Sequence, residues 1–241
     1  LFSPPRHDSA GALAALDRRT RLAEARACAE TAVGELAARR PRTFSDRFRA
    51  IETEALAALV DEWLAVESRR PAFRVHEREW ETELTLAGTV FRVKLDRVDE
   101  YPDGRRLVVD YKTGRVGASD WEGERPRQPQ LPAYALTQPP EGLGGVAFAS
   151  IRPGAARFVG CVAEGLELPG VAAEPETEWR ERVTAWHAVM AGLAAAFAGG
   201  EATPDPRDPR VCDTCDLHGL CRIAEIRAER GGGDDDAGDT A

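Results

Sequence analysis

The sequence predicts an α/β fold in which a β-sheet is flanked by helices, and three observations carry that expectation. Apolar residues recur at helical spacing as far as about residue 68, the period changes to two from residue 73, and helical patterns return at 126–137 and 176–199. At 241 residues and 43% hydrophobic, the chain can bury a sizeable core.

From about 9 to 40 the chain is rich in Ala, Leu, Arg and Glu, with Leu13, Leu16, Leu22, Ala25, Val33 and Leu36 at helical intervals. This predicts a helix or a helical pair. RRPRTFSDRF interrupts it, and Ser45 or Asp46 is suited to cap a second helix that runs through Ile51, Leu56, Leu59, Val60, Trp63 and Leu64. FRVHEREWETELTL (73–86) then alternates apolar and polar residues, and TVFRVKLDRVD and RRLVVDYKTG follow as further strands. Between the last two, YPDGR predicts a three-residue hairpin, with Pro102 second in a type I turn and Gly104 in the left-handed region. Residues 126–137 read as a short helix, 144–152 and 157–163 as strands, and 176–199 as a long amphipathic helix.

The expected organisation is an N-terminal helical region (1–70), a core (71–200), a cysteine segment (201–228) and a disordered acidic tail (229–241) dominated by GGGDDDAGDTA. No apolar run approaches the roughly 20 residues of a spanning helix. LFSPPRHDSA has neither the basic start nor the apolar core of a signal peptide, so the expected location is cytoplasmic. The first residue is Leu, which suggests a piece of a longer polypeptide. A net charge of −9 argues against non-specific adhesion to nucleic acid over the whole surface, while local patches remain open to it.

Of the 32 basic residues only Lys94 and Lys112 are lysines, and Lys112 stands in VVDYKTG beside Asp110. A compact ammonium there is not interchangeable with a planar guanidinium. A hairpin centred on Asp103 pairs residues whose numbers sum to 206, which sets Asp96 opposite Asp110. Opposed Cβ atoms lie about 4.5–5.5 Å apart, and like charges there are destabilising unless something compensates. A divalent cation compensates. Lys112 projects on the same face as Asp110, and Tyr111 on the other. Oxygen-only ligands suit magnesium or manganese, which bind through one or two carboxylates plus substrate phosphate. The chemistry this supports is metal-assisted phosphodiester hydrolysis, with Lys112 orienting the attacking water or stabilising developing charge. The plain alternative is a pair of exposed acids at strand ends.

KLDRVDEYPDGRRLVVDYKTG, followed by QPQLPAY, resembles the RecB-like branch of the PD-(D/E)XK nuclease superfamily, particularly the nuclease domains of AddB-type bacterial DNA-repair proteins. The resemblance implies a restriction-endonuclease-like mixed sheet flanked by helices, with N-terminal helices and a C-terminal cysteine knuckle. It implies a Mg-dependent DNA nuclease, an exonuclease rather than an endonuclease, acting in recombination and double-strand break repair. DNA and a helicase subunit or fused helicase domain are the implied partners, with no membrane. Asp96 and Asp110 would hold the metal and Lys112 would be catalytic. Gln130 and Tyr134, one helical turn apart, would position the site and the DNA. Glu79 matches an acid found on the family's first strand. The family's upstream GxxxH helix has no counterpart here, and His7, after PPR, reads as a loop residue. That departure supports a rival expectation: a catalytically inactive nuclease-like module that binds DNA or scaffolds a helicase–nuclease complex.

CDTCDLHGLC sets Cys212, Cys215 and Cys221 in a C-x2-C-x5-C spacing, which suits a soft metal or an iron–sulfur cluster in a reducing compartment. The spacing resembles the C-terminal part of the AddB-group iron–sulfur domains, where a distant N-terminal cysteine completes a 4Fe–4S cluster. Here that ligand is Cys28 or a residue upstream. Zinc with His218 as fourth ligand is the alternative. Cys161, in RFVGCVA, reads as core, and His76 and His187 read as structural. Trp63, Trp80, Trp179 and Trp186 fall at packing positions, whereas Trp121 stands apart in SDWEGERPRQPQ. That loop also holds Arg125 and Arg127, candidates for DNA phosphate contacts, with a solvated charged loop as the alternative.

Overall fold

In the computed structural model residues 10–231 are described; His7 and residues 232–241 of the expected tail lie outside them. The N-terminal helical stretch is a pair, α1 (Ala10–Ala14) and α2 (Arg18–Arg39). At the start of α2 the Asp17 carboxylate accepts the Thr20 N–H at 2.7 Å. Helix α3 (Asp46–Glu67) is capped by Ser45, whose hydroxyl accepts the Phe48 N–H at 3.3 Å. Ala25, Ala29, Val33 and Ala37 are buried on α2 and Ala57 and Val60 on α3, and these mostly small residues let the two helices pack together. Arg21 Nε, 2.8 Å from Asp61, ties them.

Six strands follow in sequence order: β1 (Arg74–Leu86), β2 (Thr89–Glu100), β3 (Arg106–Lys112), β4 (Leu143–Ser150), β5 (Arg157–Ala163) and β6 (Ala173–Glu174). The sheet is mixed, because β1–β2–β3 and β4–β5 are antiparallel while β3–β4 and β5–β6 are parallel. A parallel neighbour needs a crossover, and the one between β3 and β4 carries the short helix α4 (Gln130–Ala135). β4 is buried along its whole length, as a central strand covered on both faces must be. Gly160 on β5 allows its close approach, since an added Cβ would lie 2.7 Å from Ala147 Cα.

Alternation sorts the core into two layers. Val108, Val146 and Phe148 pack with Leu131 and Tyr134 of α4 and with Trp179 and Trp186 of α5 (Glu176–Ala198). Leu107, Val109, Ala147 and Ala149 face Trp63 and Val66 of α3. The sheet is therefore flanked by helices on both sides, as expected. Trp121 corrects the sequence reading: it is 2% exposed, its ring 5.6 Å from that of Phe148, and so belongs to the core. After α5 come a 3-10 turn (Pro209–Thr214), α6 (His218–Cys221) and α7 (Ile223–Gly231). No helix among the described residues is long and apolar enough to cross a membrane.

Candidate active site

The site is built on the β2–β3 hairpin. Its turn forms as YPDGR predicts: the Tyr101 N–H donates to Arg105 O and the Gly104 N–H to Tyr101 O, both at 2.9 Å, with Gly104 at φ +85°. This turn sets the register Glu100↔Arg106, Asp99↔Leu107, Val98↔Val108 and Arg97↔Val109, each pair summing to 206. Pairing then stops one step before Asp96 and Asp110, while β3 continues against β4 to Lys112↔Ser150. Where the β2–β3 ladder ends, Asp96 Oδ2 accepts the Tyr111 N–H at 2.8 Å, so a side chain does the work of a strand carbonyl.

Asp110 is 2% exposed and Asp96 half-buried. Asp110 Oδ2 lies 2.6 Å from Lys112 Nζ, which makes an ion pair, yet it is buried with no partner at hydrogen-bonding geometry. Distance and angle thus disagree. The Coulombic contact is real at that range, and the oxygen still lacks an aligned donor. Lys112 Nζ also donates to Gln130 Oε1 at 2.5 Å, and it stands 5.5 Å from the Phe148 ring centroid on the face covered by α4. Gln130 Nε2 reaches the Tyr134 hydroxyl at 3.5 Å, the outer limit of a hydrogen bond. Asp110, Lys112, Gln130 and Tyr134 are therefore linked in one chain of contacts, with Asp96 alongside.

Electrostatics agree with that convergence. Burial pushes the Asp110 carboxyl above the usual range, the Lys112 ammonium opposes this only in part, and the Asp96 charge adds to it. The Tyr134 hydroxyl is raised first by burial and then by both Asp110 and Asp96. Asp110 holds the Lys112 ammonium, Asp96 adds a second carboxylate alongside, and the buried Asp110 Oδ2 lacks an aligned hydrogen-bond donor. Hard oxygens in that state fit a small divalent cation such as Mg2+ or Mn2+. Among the described residues no group of three or more His, Cys, Asp or Glu side chains is gathered for a metal. The ligands here would be a carboxylate pair, a number that suits a cation keeping several waters.

The other expected residues fall in different places. Glu79 has φ +48°, unusual for a non-glycine residue inside a strand, and its exposed carboxylate lies 2.5 Å from Lys94 Nζ. Hydrogen bonding to Glu79 is the largest of several influences that raise the Lys94 pKa, and Asp96 is among them. Arg125 is engaged by Asp205 at 2.8 Å, whereas the Arg127 side chain is 73% exposed and 3.9 Å from Asp120. Cys212 and Cys221 are half-buried and Cys215 exposed; Cys215 Sγ accepts the Leu217 N–H at 3.5 Å. His218 turns Nε2 to the Cys212 carbonyl, at 2.5 Å. The three thiols share one segment without forming a ligand set, and Cys28 lies half-buried on α2. Cys161 is buried in the core, its thiol pushed up to about 12 by burial. His76 Nδ1 sits 3.2 Å from Glu100.

Sequence reasoning passes over a buried ionic network on the opposite face. Arg97 forks onto Asp99 at 2.6 and 2.7 Å and reaches Glu67 at 2.8 Å, while Arg70 reaches Glu67 at 2.9 Å and Asp99 at 2.7 Å. All four are buried. The available signal is the i, i+2 spacing of Arg97 and Asp99, which puts both on one face of a strand whose neighbours are apolar.

A family model of the PD-(D/E)XK nuclease superfamily matches residues 7–222. No curated protein matches the chain. Among solved structures, one described as the crystal structure of SSO0001 is similar at 18% identity and a TM-score of 0.31, over 61% of this chain and 60% of that one.

Proposed function

The chain belongs to the PD-(D/E)XK nuclease superfamily, and from that premise we propose that it is a magnesium-dependent deoxyribonuclease of the RecB/AddB type. It hydrolyses DNA phosphodiesters as an exonuclease, in recombination and double-strand break repair. The observation that carries this reading is the Lys112 ammonium, held between the buried Asp110 Oδ2 at 2.6 Å and Gln130 Oε1 at 2.5 Å, with the second carboxylate of Asp96 alongside.

Asp96 and Asp110 would hold Mg2+ or Mn2+, and the cation supplies Lewis acidity at the phosphate and a lowered pKa for the attacking water. The chain's own residues do the rest. Asp96 keeps Oδ2 on the Tyr111 N–H and would offer its other oxygen to the cation. Lys112 has three donors, so with Asp110 and Gln130 in contact one direction remains to orient the water or steady the phosphate. Gln130 aims that ammonium, and Tyr134 backs Gln130 from the next helical turn. Arg127 and, on release from Asp205, Arg125 take the DNA backbone. DNA and a helicase subunit or fused helicase domain are the partners, in the cytoplasm.

Cys212, Cys215 and Cys221 take a structural 4Fe–4S cluster whose fourth thiolate comes from Cys28 or from outside this chain. As they stand the three thiols are not a formed site, and no step of hydrolysis runs through them. Anaerobically purified protein should be brown with broad visible absorbance; colourless protein with stoichiometric zinc would refute the cluster.

The functional test is cleavage of linear DNA in Mg2+, alongside metal and DNA binding. The full-length protein should cut. Lys112→Ala should lose cleavage while keeping metal and DNA, and Asp110→Ala should lose metal as well. A parent protein that binds DNA and leaves it intact would favour the inactive-module reading, and cleavage by Lys112→Ala close to the parent rate would end the assignment of the cleavage to this site.

A further inference from the structure

Beyond the last backbone pair of β2 and β3, at Arg97↔Val109, two side-chain bonds continue the work of the ladder, and both end on Tyr111. Its N–H is held by Asp96 Oδ2 at 2.8 Å, and its hydroxyl accepts from Arg97 Nη1 at 2.8 Å on the opposite face of the sheet. The positions matter. Arg97 comes directly after Asp96 on β2, and Tyr111 stands between Asp110 and Lys112 on β3. Two residues that take no part in the proposed chemistry are thus bonded to each other, and each is a chain neighbour of residues that do.

Neither partner is free to move. Arg97 is 1% exposed, forked on Asp99 and bonded to Glu67 at the end of α3, with Arg70 bridging Glu67 and Asp99 from the other side. The Tyr111 ring packs edge-on to Trp63 of α3, centroids 6.1 Å apart. A planar guanidinium loses little freedom per bond made, so it suits a fixed bracket better than an ammonium would.

We propose that Arg97 and Tyr111 are positioning residues: their hydrogen bond, anchored through Glu67 to α3, sets the separation of Asp96 and Asp110 at which both reach one divalent cation. The inference rests on the proposed metal site at those two carboxylates. The physical reason is the narrow tolerance of magnesium, whose oxygen ligands sit at about 2.0–2.1 Å in near-octahedral geometry. With no backbone pair beyond Arg97↔Val109, Asp96 would otherwise be referred to β3 by the Tyr111 N–H alone.

The sharpest variant is Tyr111→Phe, which removes one hydroxyl and keeps both the ring against Trp63 and the amide on Asp96. Arg97→Lys addresses the other end, keeping a charge for Glu67 and Asp99 without the fork that also reaches Tyr111. Mn2+ binding by calorimetry and amide exchange at residue 111 would be measured on the parent, both variants and Asp110→Ala. Loss of the bracket should weaken Mn2+ binding about tenfold, the scale typical of groups that orient metal ligands. Exchange at residue 111 should quicken while β4 amides stay as protected as in the parent. A purely structural role would lower stability and speed exchange throughout the sheet, with Mn2+ affinity unchanged, and that result overturns the inference. The two readings separate cleanly. A parent that takes up no Mn2+, or an Asp110→Ala protein that takes up as much as the parent, sinks the metal site and the bracket together. Binding lost in Asp110→Ala but untouched in Tyr111→Phe and Arg97→Lys sinks the bracket alone.

Discussion

On one face of the β2–β3 hairpin Glu67, Arg70, Arg97 and Asp99 set two carboxylates against two guanidiniums, while on the other Asp110 pairs with the ammonium of Lys112 and Asp96 adds a second carboxylate. Burial penalises Asp99 and Asp110 alike, yet their pKa values move in opposite directions. For Asp99 the Arg97 and Arg70 guanidiniums outweigh burial and hold the carboxyl below its usual range. For Asp110 burial wins over Lys112, Asp96 adds its repulsion, and the carboxyl is raised. The first face is neutral and, apart from Arg70 Nε, fully partnered among these four side chains; the second keeps a buried oxygen one donor short. Buried charge that is fully matched serves the fold, and buried charge left unmatched in a site is where a ligand gains most.

The closed face should break hardest. Arg97→Ala leaves Glu67 and Asp99 buried without their main partner and should cost about 3–5 kcal/mol in urea unfolding, the range for breaking a buried ion pair. A cost below about 1 kcal/mol, the scale of an exposed pair, would mean the network is incidental. On the open face the next largest effect belongs to Lys112→Arg. It keeps the charge but replaces a compact ammonium by a wide fork, and it should slow cleavage about a hundredfold, or about 2.7 kcal/mol, with stability little changed.

Acid titration sharpens the contrast with smaller effects. Because its folded pKa is lowered, Asp99 contributes stability that is present at neutral pH and lost as pH falls through and below the ordinary aspartate value of about 3.9. Asp110, raised, does the reverse: its ionisation costs stability at neutral pH, and the cost is relieved as pH falls through its elevated pKa. Urea midpoints across that range should show a shallower acid decline for Asp99→Asn and a steeper one for Asp110→Asn. Parallel curves for the two variants would contradict the assignment of opposite signs.

The open face is largely legible in the sequence, and the closed face is not. YPDGR specifies its own turn, the turn sets the register, and period-two alternation then puts Asp110 and Lys112 on one side, so local rules suffice. The register reading also puts Asp96 opposite Asp110, and the structure refines this: pairing ends one residue earlier and Asp96 caps Tyr111. Arg97 and Asp99 carry only their i, i+2 spacing, which puts them on one face without saying that the face is buried. In an alternating strand they read as solvent-facing polar positions, and their partners Glu67 and Arg70 lie some thirty residues away, brought in only when α3 packs on the sheet. Trp121 is misread for a related reason, since an arginine-rich loop disguises a ring that tertiary packing buries. β6, two residues long, is too short for any periodicity to show. The cysteine spacing is readable, but spacing along a chain does not determine how thiols sit in space.

Thermal unfolding at neutral pH, with and without Mg2+, for the parent and Asp110→Asn tests most directly whether the open face is incomplete without a cation. The parent should melt higher as Mg2+ is added, in step with the logarithm of the ratio of free cation to its dissociation constant. Asp110→Asn should melt above the metal-free parent, since a buried charge that Lys112 offsets only in part is gone, and should no longer respond to Mg2+. An Asn variant that melts lower than the metal-free parent and still gains from Mg2+ as the parent does would contradict the account.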